Sequence, residues 1–501
     1  MRYGFIIDQD RCIGCHACTV ACKEEHQVPL GVFRTWVKYV EKGEFPNSSR
    51  HFGVMRCNHC DNAPCIEICP TSALFRRSNG IVDFDNEICI GCKGCMQACP
   101  YDALYIDPNN NTAAKCNFCA HRVEANQEPA CVIVCPTQAI IAGDLDDKTS
   151  KASRIVATDK VSVRKPEKQT QPKLYYIGIE EGLLDPTLLS RQNTHMFAER
   201  RDEHAGVGGF DARATREVYD VAHPAPWGWK IAAYLWTKSI AAGVLLIAAI
   251  LMGWTGENSA LVSVVSPLIA LAALGVTMVL LVIDLKRPDR FYYLLTKGNF
   301  RSWLVLGAYV LMAYGAAATA WLLFGLLKPS VPMPLVWITA ALGIASACYS
   351  AFLFAQAKGR DLWQSPLFLW HLLAQALVAG AATLLLVSFL IGAAPGMIRP
   401  LLLLLAGSLT AGAALTLIEI TMSHPGHANL AIQNMVRGKM RGSFWISVVG
   451  IGMVAPIIVL AIMLATGVTT LLGLIAAVLA LMGLWYFEDM WVKAGQSVPL
   501  S

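Results

Sequence analysis

Sixteen of the seventeen cysteines in this 501-residue chain fall before residue 136, in four groups of four. They are Cys12/Cys15/Cys18/Cys22, Cys57/Cys60/Cys65/Cys69, Cys89/Cys92/Cys95/Cys99 and Cys116/Cys119/Cys131/Cys135. The third group, Cys89-Ile-Gly-Cys92-Lys-Gly-Cys95-Met-Gln-Ala-Cys99-Pro100, has the spacing C-x2-C-x2-C-x3-C-P. Three thiolates on so tight a loop hold one cubic iron–sulfur cluster, while the fourth reaches over to a second cluster. Sixteen thiolates in four such groups predict four [4Fe-4S] clusters, and the rest of the chain is organised around them.

Zinc and disulfides are the competing uses of this many cysteines. Zinc ribbons also carry C-x2-C pairs, but they separate them by longer gaps and close four ligands on one ion. They do not need a third cysteine at x2 and a fourth at x3 followed by proline. Pairs at x2 spacing repeated four times also suit metal better than a disulfide framework.

The cysteine region is internally duplicated: Ile7 to Cys22 matches Phe84 to Cys99 almost position for position, with Cys-Ile-Gly-Cys opening both cluster loops. Two ferredoxin-like halves follow, an α+β arrangement. Short strands are expected at 81–84, 103–106 and 139–142, with short helices after the fourth cysteines. Pro70, Pro100 and Pro136 each follow a fourth cysteine and turn the chain away, whereas Lys23 takes that position in the first group. The ferredoxin rule allows a crossed ligand assignment, three cysteines of one group with the last of its partner. A nested crossing joins Cys12/Cys15/Cys18 with Cys135, Cys116/Cys119/Cys131 with Cys22, Cys57/Cys60/Cys65 with Cys99, and Cys89/Cys92/Cys95 with Cys69. The spacing establishes the number of clusters more firmly than this pairing.

Residues 146–226 are polar, contain Gly206 to Gly209 and leave through a Pro-rich stretch, His223 to Trp229. They read as an extended connection, with Tyr175, Tyr176 and Ile177 as a short strand packed on the cluster domain. From Ile231 onward come eight apolar stretches of spanning length: 231–253, 261–283, 303–327, 334–356, 366–392, 401–422, 444–466 and 468–487. Alternate connections are basic. Lys286, Arg287, Arg290, Lys297, Arg301, Lys358, Arg360, Arg437, Lys439 and Arg441, with Lys230 and Lys493 at the ends, make twelve, against Lys328 and Arg399 on the other side. The positive-inside rule puts the cluster domain in the cytoplasm. Met1 leads straight into the first cluster motif, so no secretory or twin-arginine signal is expected. A net charge of +5 without a basic, aromatic-interleaved block argues against nucleic acid as a partner.

Both halves resemble known families. Four cysteine groups in this order resemble the four-cluster electron-transfer subunit of the DMSO-reductase superfamily, as found with dimethyl sulfoxide, polysulfide, nitrate and formate enzymes. The membrane half resembles the polysulfide-reductase-type (NrfD-like) quinone-binding anchor. That likeness rests on Asp284-Leu-Lys-Arg-Pro-Asp-Arg-Phe-Tyr-Tyr, on Asn299-Phe-Arg-Ser-Trp-Leu-Val-Leu-Gly-Ala, and on Trp227-Gly-Trp-Lys-Ile-Ala-Ala-Tyr-Leu-Trp. The resulting organisation is a bis-ferredoxin-like cluster domain (1–185), a linker (186–226) and an all-α membrane domain of eight transmembrane helices (227–501). The resemblance implies a fusion of two subunits, a separate molybdopterin-dependent catalytic partner, and multi-pass residence in a bacterial inner (cytoplasmic) membrane.

Ionisable groups inside a bilayer are expensive and are functional candidates by default. Lys238, Asp284, His371 and Glu419 all fall in the half of the membrane that faces the clusters. Each has the plainer reading of a snorkelling or ion-paired residue, which weighs evenly for Asp284 and Glu419 at their helix ends. Quinone reduction takes two electrons and two protons, so a site wants a polar partner for each carbonyl and a proton route to water. His371 is the expected partner of one carbonyl, and Lys238, paired with Asp284, of the other. Only one histidine lies well inside a helix, so axial pairs for haem are not expected. Cys348 reads as a small packing residue, and His424 and His427 lie beyond the sixth span.

The function expected is that of an electron-transfer and membrane-anchor subunit of a respiratory oxidoreductase, exchanging electrons with quinone and quinol. The alternatives are a membrane-tethered metal-binding or redox-sensing module without turnover, and the same wiring serving a hydrogenase.

Overall fold

Tyr3–Asp8 forms a strand whose two faces are both covered. Phe5 and Ile7 point into the core that surrounds the cysteines, while Ile6 packs on Ile141 and Ala152 behind it. That period of two explains why an unbroken apolar run serves as a strand here. The computed structural model describes residues 1–43, 46–191, 215–256, 258–328, 330–391, 395–467 and 470–501. It divides into two units, residues 1–226 with 357–359 and 499–501, and residues 227–356 with 360–498.

The strands of the first unit are β1 (Tyr3–Asp8), β2 (Thr35–Lys42), β3 (Ser49–Arg56), β4 (Leu74–Arg76), β5 (Val82–Phe84), β6 (Leu104–Ile106), β7 (Ala113–Lys115), β8 (Ile140–Asp144), β9 (Leu174–Ile177), β10 (Ser190–Arg191) and β11 (Arg216–Tyr219). β1 is central to one sheet, antiparallel to β8 and parallel to β9. β4–β5 and β6–β7 are short hairpins. The strands expected at 81–84, 103–106, 139–142 and 175–177 are β5, β6, β8 and β9.

Two features depart from the sequence expectation. The short helices α1 (Ala17–Glu25), α2 (Pro64–Ile68), α3 (Gly94–Ala98), α4 (Ala120–Glu124) and α5 (Ala130–Ile133) do not follow the fourth cysteines. In three of the groups the third cysteine opens a helix and the fourth ends it or lies just past it, where the following proline forbids continuation. The first group has Lys23 instead of proline, and α1 runs on past Cys22 to nine residues. The second departure concerns the segment read as a linker. β11 and β10 extend a four-stranded sheet, β10-β11-β2-β3, built on a long hairpin in register from Thr35↔Arg56 to Lys42↔Ser49. Lys38, buried in β2, lies 2.7 Å from Glu217 and 3.0 Å from Asp220, so a buried ion pair ties residues 216–220 to the hairpin. Residues 192–214, including Gly206 to Gly209, lie outside the described residues.

Among the described residues, the second unit carries eight helices long and apolar enough to cross a membrane: Trp229–Thr255, Leu261–Asp284, Trp303–Leu327, Met333–Ala355, Phe368–Ile391, Gly396–Thr421, Ser443–Thr466 and Thr470–Gly495. The α+β domain followed by eight spanning helices is the fold class expected. The first span is the hub, with 83% of its apolar window buried against 28% of the second, third and seventh. It meets the fifth span at Gly243 and Gly380, where a Cβ on either would collide with the other's backbone. Small residues at such crossings let helix backbones approach closely. The second and seventh spans open on wide π turns, Leu261–Val265 and Ser443–Val454, that end just before Pro267 and Pro456. A proline lacks the N–H and clashes with the carbonyl four residues back, and the widened turns upstream absorb that conflict.

Candidate functional site

The four cysteine groups are brought together in crossed pairs around four cavities. Cys12, Cys15 and Cys18 share one with Cys135; Cys116, Cys119 and Cys131 share one with Cys22; Cys57, Cys60 and Cys65 share one with Cys99; and Cys89, Cys92 and Cys95 share one with Cys69. Their volumes are about 270 to 370 Å³. The backbone explains how so few residues present so many thiols to one space. In every group the residue before the second cysteine is left-handed: Gly14 (φ 69°), His59 (44°), Gly91 (67°) and Phe118 (62°). Glycine adopts this freely, but at His59 and Phe118 it costs about 1–2 kcal/mol each. Packing holds them there, with ring centroids 5.3 Å apart and Phe118 stacked 4.0 Å from Phe5.

These cavities fit a cubane better than a single ion. Among the described residues no three His, Cys, Asp or Glu side chains converge as one ion would require. Burial is the main cause that pushes the thiols up, Cys18 and Cys116 to about 11 and Cys60, Cys92 and Cys119 to about 12. Ionising thiols as buried as these calls for positive charge of the kind iron supplies. The protein adds donors of its own: backbone N–H groups of His59, Ala113 and Ala139 lie 3.4, 3.4 and 3.3 Å from the sulfurs of Cys57, Cys89 and Cys135. Arg56, 1% exposed, donates from Nη1 to Cys131 Sγ at 3.1 Å, and His26 Nε2 lies 3.2 Å from Cys119 Sγ. Hydrogen bonds and solvent exposure at the sulfurs are the levers that set cluster potential. Exposure differs between cavities, since Cys15 is exposed and Cys12 and Cys135 half-buried, while all four cysteines around the Cys57 cavity are buried.

In the membrane unit, a cavity of about 430 Å³ lies among the fifth, sixth, seventh and eighth spans. Its lining is apolar apart from His371, Gln375 and Thr416. His371 and Gln375 stand one turn apart on one helix face. They are 2% and 7% exposed, and among the described residues His371 Nε2 and both amide atoms of Gln375 have no hydrogen-bond partner. Unpaired buried polar atoms on residues that line an apolar cavity are what a ligand with its own polar groups would satisfy. His371 packs against a stacked Phe487–Trp491 pair, with ring centroids 5.6 and 5.7 Å away. Glu419 Oε2 lies 3.7 Å from its Nε2.

Lys238 and Asp284 do not line this cavity. Lys238 is fully buried and donates to Ala347 O at 2.8 Å and Ser350 Oγ at 2.6 Å, with the Tyr349 ring 5.0 Å away. A carboxylate that acts electrostatically on it is Glu488. Glu488 is fully buried, and neither of its oxygens is hydrogen-bonded among the described residues. Sequence reading misses it because the last apolar run ends at Phe487, one residue short, whereas the helix continues to Gly495. The signal is present: Leu484, Phe487, Glu488 and Trp491 continue one helical stripe, and all are buried. Gln375 escapes because it carries no charge.

Comparison with known proteins agrees on both halves. Family models match residues 3–24 as a 4Fe-4S binding domain, residues 50–145 as a 4Fe-4S dicluster domain, and residues 217–498 as Polysulphide reductase, NrfD. The first part is 44% identical to a tetrathionate reductase subunit of Salmonella typhimurium, over 40% of this chain and 80% of that protein. It is 46% identical to the NrfC homolog of Haemophilus influenzae, over 36% of this chain and 82% of that protein. It is 40% identical to a polysulfide reductase chain of Wolinella succinogenes, over 36% of this chain and 96% of that protein. An iron–sulfur electron-transfer subunit and a multi-pass membrane anchor are thus joined in one polypeptide, which belongs to the polysulphide reductase NrfD family.

Proposed function

We propose that this chain wires a separate catalytic subunit, of the molybdopterin-dependent kind, to the membrane quinone pool through four [4Fe-4S] clusters. The observation that carries the reading is the coexistence, in one chain, of four crossed cysteine cavities and an apolar membrane cavity with unpaired polar atoms on His371 and Gln375. Bound clusters supply one-electron transfer. The sixteen cysteines are the proposed ligands, with Arg56 and the backbone donors biasing the potential of the clusters beside them. Relatives named for tetrathionate and polysulfide reduction supply the class of partner, an enzyme acting on a sulfur compound.

The headgroup of a quinone is assigned to the His371 cavity. The Gln375 amide can donate to a quinone carbonyl or accept from a quinol hydroxyl, while the His371 ring can take or give the proton that accompanies electron transfer. Apolar walls from the sixth to eighth spans suit the ring and its isoprenoid tail. Lys238 and Asp284 lie outside this assignment. The proposed setting is a bacterial inner membrane, with the cluster domain on the cytoplasmic side of the charge bias.

Iron and sulfide analysis with low-temperature EPR of the dithionite-reduced protein tests the wire: interacting [4Fe-4S] signals are expected, and stoichiometric zinc without a signal would discard it. His371→Ala tests the site. Reoxidation of reduced clusters by a quinone analogue should be lost while reoxidation by a soluble dye persists; unchanged quinone kinetics would remove His371 from the site.

A further inference from the structure

Glu419 is a carboxylate at the end of a membrane helix with almost no contact with solvent, 1% exposed, in surroundings where a charge is expensive. What surrounds it is a series of ionisable groups that is most exposed at the end away from the cavity. On one side His371 Nε2 lies 3.7 Å from Oε2, and His371 lines the cavity. On the other, His424 Nε2 lies 3.7 Å from Oε1 and 2.7 Å from the Glu419 carbonyl oxygen. The side chains of His371, Glu419 and His424 are 3%, 1% and 6% exposed; three residues past His424, His427 pairs with Asp361 at 3.6 Å, and these two are 17% and 15% exposed. Among the described residues, His371 Nε2 and Glu419 Oε1 have no hydrogen-bond partner. Both 3.7 Å gaps are just beyond hydrogen-bond length, a distance that rotation of one carboxylate closes toward either ring. A carboxylate that can face each of two imidazoles in turn is a means of moving protons between them.

We infer that Glu419 relays protons between the His371 cavity and water, with His424 as its outer contact. The inference rests on the reading that the cavity takes a quinone. Reduction of one quinone consumes two electrons, arriving through the iron–sulfur domain, and two protons, which reach its oxygens from His371; each proton lost by His371 is replaced through Glu419 from His424. Quinol oxidation runs the same steps in reverse. Glu419 acts through His371 and is a positioning and relay residue. Its hydrogen bond from Ser365, Oγ to Oε2 at 2.9 Å, is the structural role that must be separated from the relay.

The experiment uses the full chain with its clusters reduced by dithionite, mixed in a stopped-flow instrument with a short-chain naphthoquinone. Binding of a fluorescent hydroxyquinoline N-oxide is measured separately. Glu419→Gln keeps size and the acceptor for Ser365 but cannot exchange a proton. It should slow cluster reoxidation by about a hundredfold, the scale of a positioned acid–base group, with analogue affinity unchanged and a larger solvent deuterium isotope effect. Glu419→Asp should recover most of the rate, and His424→Gln, at the less buried end, should slow it in the same direction. Wild-type reoxidation and isotope effect in Glu419→Gln would overturn the relay. Gly412→Phe separates the two readings: Gly412 lines the cavity with open space where its Cβ would be, so phenylalanine should fill it and abolish analogue binding. Undiminished binding and rate in that variant would remove the quinone site and the relay with it, whereas lost binding together with a normal Glu419→Gln would remove the relay alone.

Discussion

Lys238 and Glu488 are both fully buried in membrane helices, and each acts electrostatically on the other. Removing one partner of such a pair leaves an isolated charge in low dielectric and costs about 3–5 kcal/mol, while removing both costs little. Lys238→Met should therefore lower the thermal stability of the detergent-solubilised protein markedly, and Lys238→Met with Glu488→Leu should recover most of the loss. Additive losses in the double variant, measured by the same melts, would mean that the two residues do not act as a pair. Tyr234 Oη lies 3.1 Å from Ser350 Oγ, which itself accepts from Lys238, so the pair sits in a polar network that a single substitution breaks in several places. The same scale explains why His59 and Phe118 can occupy left-handed backbone: their strain is local, and burial of their rings in the core around Phe5 offsets it.

The elements around the cysteines are short because their job is to aim thiols, and crossing ties distant ones together. Cys22 belongs with Cys116, Cys119 and Cys131, and Cys135 with Cys12, Cys15 and Cys18. If those sets are ligand sets, Cys22→Ser should disturb the same EPR signal as Cys131→Ser and leave untouched the signal changed by Cys12→Ser. A match between Cys22→Ser and Cys12→Ser would contradict the crossing. β11 is tied down by electrostatics more than by length. His223 lies 2.7 Å from Asp102 and 3.4 Å from Asp220, and although burial opposes its charge, these hydrogen bonds raise its pKa to about 9. A pKa raised on folding adds stability that is complete below the ordinary histidine value near 6.5 and is lost as pH rises through about 9. Hydrogen exchange in 216–223 should therefore speed up between those values, by as much as about 1.4 kcal/mol of protection per pH unit. The expected control, His223→Gln, should be flat over that window; the same slope in the variant would assign the effect elsewhere.

At the scale of the whole molecule, the alternation of basic connections makes sidedness testable. A C-terminal fusion should fluoresce with a protein that folds only in the cytoplasm, whereas alkaline phosphatase activity at Ser501 would reverse the orientation. Much at this scale is legible in the sequence. Cysteine spacing alone demands cluster loops, because a thiolate at every third residue has few other uses, and apolar length alone demands eight spans, because the bilayer sets the length of a helix that crosses it. The nested crossing is one assignment among those the spacing allows, and the sharing of cavities by Cys22 with Cys131 and by Cys69 with Cys89 is a fact of three dimensions. Helix position in the cluster loops is easily misread, since the same proline that turns the chain away also ends the helix before it. In the membrane, periodicity identifies which residues are buried but not what they face. Lys238 and His371 look like partners at one site, yet packing sets Lys238 against Ala347 and Ser350, and gives His371 a cavity with Gln375 and a contact with Glu419. Ligand chemistry and span number are local, written in spacing and length. Which side chains share a space depends on how helices cross, which close approaches such as Gly243 on Gly380 decide only when the whole bundle is packed.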